Sequence, residues 1–323
     1  MAVFLGIDTS NYTTSVAAFD SETGEMFSEK LLLPVSEKNC GLRQSDAVFL
    51  HVRQLGEVAR RVLSKINLPP EAIGISISPC DNERSYMPCF LVGKMLGQVL
   101  SAAYNAKLYA FSHQRGHIAA ALYSVGRLDM LDKEFIALHI SGGTTDIIKV
   151  TPDKDMIIRC DCIGKSLDLK AGQAIDRVGV MLGLKFPCGA ELERLAESSQ
   201  KTFKIKPCIK GLDCALSGVE NQAQKMLNEG EKPCDIAKYC LDFISASIDG
   251  MCSSAQKTHP DLPFVFAGGV MSNKGMKALF EQKYNGLFAE PKFSSDNAAG
   301  IAILCKTAFE RNLDEYISGN EEP

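Results

Sequence analysis

The chain has 323 residues, of which 46% are hydrophobic, so it is long enough for two domains with separate cores. Its 35 basic and 39 acidic residues give a net charge of −4, which excludes a global basic field, so nucleic-acid binding would need a local patch. No run approaches the roughly 18 apolar residues of a membrane span, and a predicted strand follows Met1 without a secretory leader.

The cysteines indicate the redox compartment. Twelve cysteines are scattered along the chain, the closest pair is Cys160 and Cys162, and no Cys-x-x-Cys motif occurs. This usage predicts buried free thiols in a reducing cytoplasm and argues against a structural zinc site on cysteines.

A β-hairpin is predicted at the start of the chain. Apolar runs at residues 3–7 and 16–19 enclose a turn that is rich in hydroxyl groups. The sequence does not identify the catalytic residues. Asp8 and Thr13 of this hairpin are the candidates.

The next elements complete half of a duplicated fold that ends near residue 110. They are predicted as a strand at 26–34, a helix capped by Ser45 or Asp46, a strand at 72–78, a helix at 90–103 and a strand at 107–111. In the first of these helices His51 lies off the apolar stripe, so its side chain is expected to be exposed.

Two histidines begin the helix that follows. His113 and His117 are spaced i and i+4, so both imidazoles project from one face and can share one metal ion. The alternative is a surface or capping pair. Gln114 occupies the place where a zinc-peptidase motif carries its glutamate base, which argues against peptidase activity.

A second hairpin with the same layout is predicted at residues 135–150. Its turn contains Gly142 and Gly143 among hydroxyl residues, and backbone amides in such a turn can approach an anion closely. An ordinary hairpin is the alternative for this stretch alone. A strand at 264–267 that enters Gly268 and Gly269 adds a third glycine loop. Together these motifs predict a duplicated α/β protein that holds a nucleotide between its halves.

The remaining motifs leave alternatives open. In a predicted helix at 166–182, Asp176 lies off the apolar face and either meets a ligand or is simply exposed. Asp296 precedes a predicted helix at 298–309, where it either caps the helix or serves as a third metal ligand. The four lysines in 201–210 form either a solvated surface or the one candidate basic patch.

Taken together, these residues resemble the tRNA threonylcarbamoyladenosine transferase family of the bacterial TsaD type, formerly called O-sialoglycoprotein endopeptidase-like, nearly end to end. The resemblance implies a duplicated actin/hexokinase-like (ribonuclease H-like) ATPase fold with two lobes around a nucleotide cleft. Residues 1–110, completed by 298–323, would form the N-terminal lobe, and residues 111–297 would form the second lobe with the metal and nucleotide site.

The resemblance also implies the site residues. His113, His117 and Asp296 match the metal ligands, for which iron, zinc and magnesium all remain open. The positions that match nucleotide contacts, with Asp176 on the ribose, are Ile140, Ser141, Gly142, Gly143, Thr144, Asp176, Gly189 and Asn273. The implied cofactors are a divalent metal and ATP or an acyl-adenylate, and the implied partners are tRNA and TsaB-like and TsaE-like proteins.

Four motifs depart from the family pattern. The family's Cys-Asp-Glu-Thr, Ser-Gly-Gly-His-Thr, Ala-Gly-Glu and Gly-Pro-Gly segments correspond here to 11–14, 141–145, 171–173 and 78–81, which read NYTT, SGGTT, AGQ and SPCD. The chain therefore looks like a divergent paralogue. Three functions stay open: threonylcarbamoyl transfer to a tRNA adenosine, small-molecule carbamoyl or phosphoryl transfer, and non-catalytic nucleotide binding as partner of a true family member.

Overall fold

Two five-stranded sheets carry the fold in this computed structural model, which describes residues 2–10, 12–34, 42–81, 86–294 and 297–316. The chain divides into two units. Unit 1 comprises Met1–Lys133, Thr151–Cys160 and Asp296–Pro323, and unit 2 comprises Glu134–Val150 and Asp161–Ser295.

The elements up to residue 132 are, in order, β1 (Val3–Ser10), β2 (Thr13–Asp20), β3 (Met26–Leu32), α1 (Gln44–Leu63), β4 (Pro70–Ser78), α2 (Phe90–Tyr104), β5 (Lys107–Ser112), α3 (His113–Ser124) and a 3-10 turn (Leu128–Asp132). They are followed by β6 (Phe135–Ile140), β7 (Thr145–Asp153), β8 (Ile157–Lys165), α4 (Ala171–Met181), α5 (Gly189–Ala196), β9 (Cys208–Lys210), β10 (Asp213–Ala215), α6 (Gly218–Asn228) and α7 (Pro233–Thr258). The last elements are β11 (Phe264–Ala267), a 3-10 turn (Gly269–Ser272), α8 (Lys274–Tyr284), β12 (Leu287–Phe288), α9 (Pro291–Ser294) and α10 (Ala299–Glu310).

The two sheets share one topology, which confirms the predicted duplication. The first sheet has the order β3-β2-β1-β4-β5 and the second has the order β8-β7-β6-β11-β12. Strand β1 pairs antiparallel with β2 and parallel with β4, and strand β6 pairs antiparallel with β7 and parallel with β11. In both sheets the parallel partner enters after a helical crossover. A hairpin followed by parallel strands therefore occurs twice, once from each of the two hairpin motifs seen in the sequence.

Strand β1 is the middle strand of its sheet, and helices cover both of its faces. Its consecutive side chains point to opposite faces, so Gly6 faces α10 while Ile7 faces α2. A Cβ at Gly6 would lie 2.5 Å from the backbone of Ala302, and a Cβ at Gly93 would lie 3.3 Å from Ile7. These close approaches show that α10 and α2 pack directly against β1.

Several sequence expectations differ from the structure. His51 is fully buried, because it lies on the α1 face that packs on β2, where Thr14 binds its ring. The helix predicted from residue 166 begins at Ala171, since Asp168 turns away to bind backbone amides beyond β10. Residues 111–133, which were expected in the second lobe, group with unit 1, where Gly116 in α3 contacts Gly300 in α10.

Candidate functional site

Polar residues end three neighbouring parallel strands of unit 1. Strands β1, β4 and β5 lie side by side and run in the same direction. Asp8 is near the end of β1, Ser76 is near the end of β4, and His113 directly follows β5. The carboxyl ends of parallel strands are where α/β proteins place their ligands, so this edge is a candidate site.

Asp8 is held by hydrogen bonds from three separate elements. Its side chain is fully buried, and Oδ1 accepts a hydrogen bond from the Ser76 hydroxyl. Oδ2 contacts the Ser10 hydroxyl at 3.0 Å and Nδ1 of His113 at 3.0 Å. A candidate catalytic role for Asp8 by direct contact with a substrate does not fit a side chain that solvent cannot reach.

The two histidines at the start of α3 converge. Ser112 caps the helix by accepting the Arg115 N–H at 3.3 Å, which sets the first turn on which His113 projects. The Nε2 atoms of His113 and His117 lie 2.9 Å apart, and the ring centroids are 4.3 Å apart. The i, i+4 spacing thus brings two nitrogen donors together at the strand edge.

This pair fits a shared metal ion. Two imidazole nitrogens that bind one cation at about 2.0–2.1 Å, in tetrahedral or octahedral geometry, lie about 2.9–3.4 Å apart. The observed Nε2–Nε2 distance of 2.9 Å falls at the short end of that range. The third predicted ligand, Asp296, lies outside the described residues, and among the described residues no group of three candidate ligands is assembled.

Two threonine side chains of the first hairpin are buried within unit 1. The Thr9 hydroxyl donates to the Cys89 carbonyl at 2.9 Å and accepts the Gly93 N–H at 3.1 Å, which ties β1 to the start of α2. Thr13, the other candidate catalytic residue, is 2% exposed on β2. Neither hydroxyl lines an open turn.

The turn between β6 and β7 in unit 2 is exposed, in contrast to the buried threonines of the first hairpin. The Ser141 hydroxyl accepts the backbone N–H groups of Gly143 at 3.2 Å and Thr144 at 3.1 Å, and it contacts the Thr144 hydroxyl at 2.7 Å. These bonds hold the backbone of the turn in place. Gly142 and Gly143 are exposed, and a Cβ on either would meet nothing within 4 Å.

Two further segments enclose this turn from within unit 2. The Gly172 N–H at the start of α4 donates to the Ser141 carbonyl at 3.1 Å, and a Cβ on Gly172 would lie 2.6 Å from Cα of Gly142. After β11, Gly268 has a φ of 97° and approaches the Ile140 carbonyl so closely that a Cβ would lie 2.2 Å away. Ile140 itself is fully buried, so it supports the turn from below.

The other predicted nucleotide contacts are linked through α5. Asp176 accepts the Cys188 N–H at 2.8 Å, directly before Gly189 begins α5, and burial raises the pKa of this carboxyl group. The Asn273 side chain caps α8 by accepting the Met276 N–H at 2.9 Å. The Lys274 N–H in turn donates to Glu193 of α5 at 2.8 Å, so the start of α8 is tied to the middle of α5.

Two side chains near this turn carry contacts that sequence reasoning did not assign. Asp168 accepts the N–H groups of Leu216 at 2.7 Å and Ser217 at 3.1 Å. Burial alone would raise the pKa of Asp168, but the Ser217 hydroxyl and these amides lower it. His139 is buried beneath the turn, with Nδ1 at 3.4 Å from the Thr144 hydroxyl. The Asp168 contacts have no local sequence signal, because its partners lie almost fifty positions away. The His139 contact spans only one hairpin and could have been found from the hairpin pairing.

Comparisons with known proteins agree with these observations. A family model described as tRNA N6-adenosine threonylcarbamoyltransferase, TsaD, matches residues 40–303. Full-length HypF, in a phosphate- and nucleotide-bound form, is 12% identical with a TM-score of 0.60; the match covers 97% of this chain and 46% of HypF, so the chain spans about half of that protein.

Component A of (R)-2-hydroxyglutaryl-CoA dehydratase from Acidaminococcus fermentans is 16% identical with a TM-score of 0.57, over 96% of this chain and 100% of that one. A ROK family glucokinase from Streptomyces griseus, in complex with glucose and AMPPNP, is 11% identical with a TM-score of 0.54, over 95% and 100% of the two chains. These likenesses establish the actin/hexokinase-like ATPase fold. Within the described part of the chain, no helix combines the length and apolar character needed to cross a bilayer.

Proposed function

The chain belongs to the tRNA N6-adenosine threonylcarbamoyltransferase family, and from that premise we propose that it transfers a threonylcarbamoyl group from threonylcarbamoyl-adenylate to the exocyclic amine of a tRNA adenosine. The observation that carries the proposal is the Ser141–Thr144 turn, in which the Ser141 hydroxyl gathers two backbone N–H groups beside two exposed glycines. Such a turn suits the phosphate of an adenylate.

The residues of unit 2 would bind and orient the adenylate. The Gly143 and Thr144 N–H groups are bound by the Ser141 hydroxyl, so an anion at the exposed glycines would take these hydrogen bonds over from that hydroxyl. Oδ1 of Asp176 is bound by the Cys188 N–H, and its other oxygen makes no hydrogen bond to the described residues, which leaves it to accept a ribose hydroxyl. Gly189 has open space where a side chain would stand, so a nucleotide can approach the start of α5.

The imidazole pair of unit 1 would hold the metal, with Asp296 as the further ligand. A bound divalent cation supplies Lewis-acid stabilisation of the charge that develops on phosphate and carbamoyl oxygens. Two imidazole ligands favour iron or zinc over magnesium, which prefers oxygen ligands and keeps several waters. Asp8 orients one of these imidazoles from the buried side.

We extend the proposal to protein partners of the TsaB-like and TsaE-like kinds. Leu91, Met95 and Val99 follow one face of α2 at i, i+4 and i+8 and are 47%, 52% and 56% exposed. Lys94 is the single charged residue of this helix and lies 5.2 Å from the Tyr316 ring. An uncharged helix face of this size suits a protein partner. A Met95→Lys variant should lose complex formation while it keeps adenylate binding, as checked by size-exclusion chromatography and titration.

The transfer reaction is tested with unmodified tRNA, threonylcarbamoyl-adenylate, the partner proteins and the purified chain. Nucleosides released from the tRNA are analysed by mass spectrometry, and threonylcarbamoyl-adenosine is expected with the parent and not with His113→Ala. A Gly56→Ala variant is the matched control, because Gly56 lies on α1 with nothing within 4 Å of a Cβ.

Two results would redirect the assignment. Tight adenylate binding without product on any tRNA would contradict tRNA transfer. If the same protein then carbamoylates small acceptors, the small-molecule transferase is correct. If it has no turnover and captures a true family member, the non-catalytic role is correct.

A further inference from the structure

The contact between Asp8 and His113 has a chemical consequence for the candidate metal site. Oδ2 of Asp8 lies 3.0 Å from Nδ1 of His113, while Nε2 of the same ring lies 2.9 Å from Nε2 of His117. The two nitrogens of the His113 ring therefore face different partners. One faces a buried carboxylate and the other faces the position that a cation would occupy.

Hydrogen-bond donors around Asp8 decide the tautomer of His113. The Ser10 and Ser76 hydroxyls both donate to this carboxyl group, so its oxygens act as acceptors and the ring donates its Nδ1–H to Oδ2. The hydroxyls of Ser10 and Ser76 contact the two oxygens of the same carboxylate from β1 and β4. These contacts hold the carboxylate plane against rotation. When Nδ1 carries the single proton of the ring, the lone pair lies on Nε2.

We propose that Asp8 is a positioning residue that locks His113 in its Nδ1–H form and thereby presents Nε2 to a divalent cation. The inference rests on the proposed metal site and assigns a role to this carboxylate that differs from contact with substrate, since its side chain is fully buried. A carboxylate behind a metal-binding imidazole fixes the ring and raises its basicity, and loss of such a partner typically weakens metal binding by about 10- to 100-fold.

The tautomer can be measured directly in the metal-free protein. The chain has five histidines, so a long-range ¹⁵N–¹H correlation spectrum of ¹⁵N-histidine-labelled protein is tractable, and His113→Gln assigns the signal. The expected result is a protonated Nδ1 and an unprotonated Nε2 in His113 of the parent. A parent in which His113 carries its proton on Nε2 would overturn the proposal without any variant of Asp8.

Asp8→Asn tests the consequence for metal binding. The amide group can donate to Nδ1, which shifts the ring proton to Nε2 and blocks the ligand position. Titration with Zn²⁺ against a competing indicator should show affinity about 10- to 100-fold weaker than the parent, together with the altered His113 spectrum. An unchanged affinity with an unchanged tautomer would overturn the role of Asp8.

Asp81→Asn is the matched control. Asp81 is also a poorly exposed carboxylate that contacts α3, but it binds Arg115 at 2.9 Å rather than an imidazole. This variant should bind Zn²⁺ like the parent, and an equal loss would mean that any disturbance of α3 weakens the site. If Asp8→Asn does not fold, Ser76→Ala replaces it, since it frees one carboxylate oxygen and should weaken Zn²⁺ binding by a smaller factor.

The failure of this inference is distinguishable from failure of the proposed function. Neither the spectrum nor the Zn²⁺ titration uses tRNA or adenylate, so absence of tRNA product leaves both results interpretable. Zn²⁺ binding with the expected tautomer and no tRNA product would keep the role of Asp8 and reject tRNA transfer. A parent that binds neither Zn²⁺ nor Fe²⁺ would reject the metal site and this role together.

Discussion

The two hairpins of this chain share a topology and differ in what they do with their polar groups. In the first hairpin, Asp8, Thr9 and Thr14 are buried and bind neighbouring strands and helices. In the second, Ser141 braces a turn whose two glycines stay exposed. The duplicated scaffold therefore has buried polar groups on the strands of its first hairpin, which support an imidazole pair, and an open turn in its second hairpin, which suits an anion.

This contrast predicts that changes in the first hairpin mainly affect stability and metal binding, whereas changes in the second hairpin mainly affect adenylate binding. The largest effect is expected for Asp8→Ala, because it leaves the His113 N–H and two hydroxyls without their acceptor in a buried site. The free energy of unfolding should fall by about 3 kcal/mol, as measured by urea denaturation. A loss below about 0.5 kcal/mol would mean that the buried network is not formed.

A smaller loss is expected where the open turn meets its support. In Gly172→Ala the added methyl group would lie 2.6 Å from Cα of Gly142, so either α4 or the turn must move. We expect a loss of about 1–3 kcal/mol in unfolding free energy together with weaker adenylate binding, from denaturation and titration of one preparation. Wild-type values for both would show that the turn is not braced by α4.

The open turn itself should respond in binding alone. Gly143→Ala adds a methyl group into open space, so the unfolding free energy should change by less than about 0.5 kcal/mol. The same methyl group would stand between a phosphate and the turn, and adenylate affinity should fall about tenfold, or about 1.4 kcal/mol. Parent-like affinity would place the anion elsewhere. The Gly56→Ala control should bind adenylate as the parent does.

The smallest effect is a pH dependence from His51, the α1 residue that packs on the first hairpin. Burial lowers the pKa of His51 below its ordinary value of 6.5, although Asp8 and the Ser10 backbone oppose this. The unfolded state then binds more protons, so stability is full above pH 6.5 and falls as the pH drops through the folded-state pKa. His51→Gln should flatten this part of the stability curve between pH 7.5 and about pH 5, and an unchanged slope would assign it to other groups.

Local sequence patterns predicted the duplicated fold and the second turn. Apolar runs on either side of hydroxyl and glycine turns define both hairpins, and the Ser141–Thr144 turn is built from consecutive residues. The i, i+4 spacing likewise brought His113 and His117 together, because helix geometry alone fixes that contact.

The contacts that sequence did not predict join distant segments. The apolar stripe of α1 can be drawn through Val52 or through His51, and only packing on β2 decides that His51 is buried while Val52 is 58% exposed. Similarly, Asp168 accepts hydrogen bonds from residues that follow β10. Because of these bonds Asp168 lies in a non-helical segment, and α4 begins only after it. Partners so far away in sequence leave no local signal.

Hydrogen–deuterium exchange with each ligand in turn tests the division between the two hairpins most directly. We predict that threonylcarbamoyl-adenylate slows exchange in residues 141–144 and at the starts of α4 and α5, whereas Zn²⁺ slows exchange in β1 and the first turn of α3. If the adenylate slows exchange in the first hairpin and leaves residues 141–144 unaffected, the assignment of the second turn as the adenylate site is wrong.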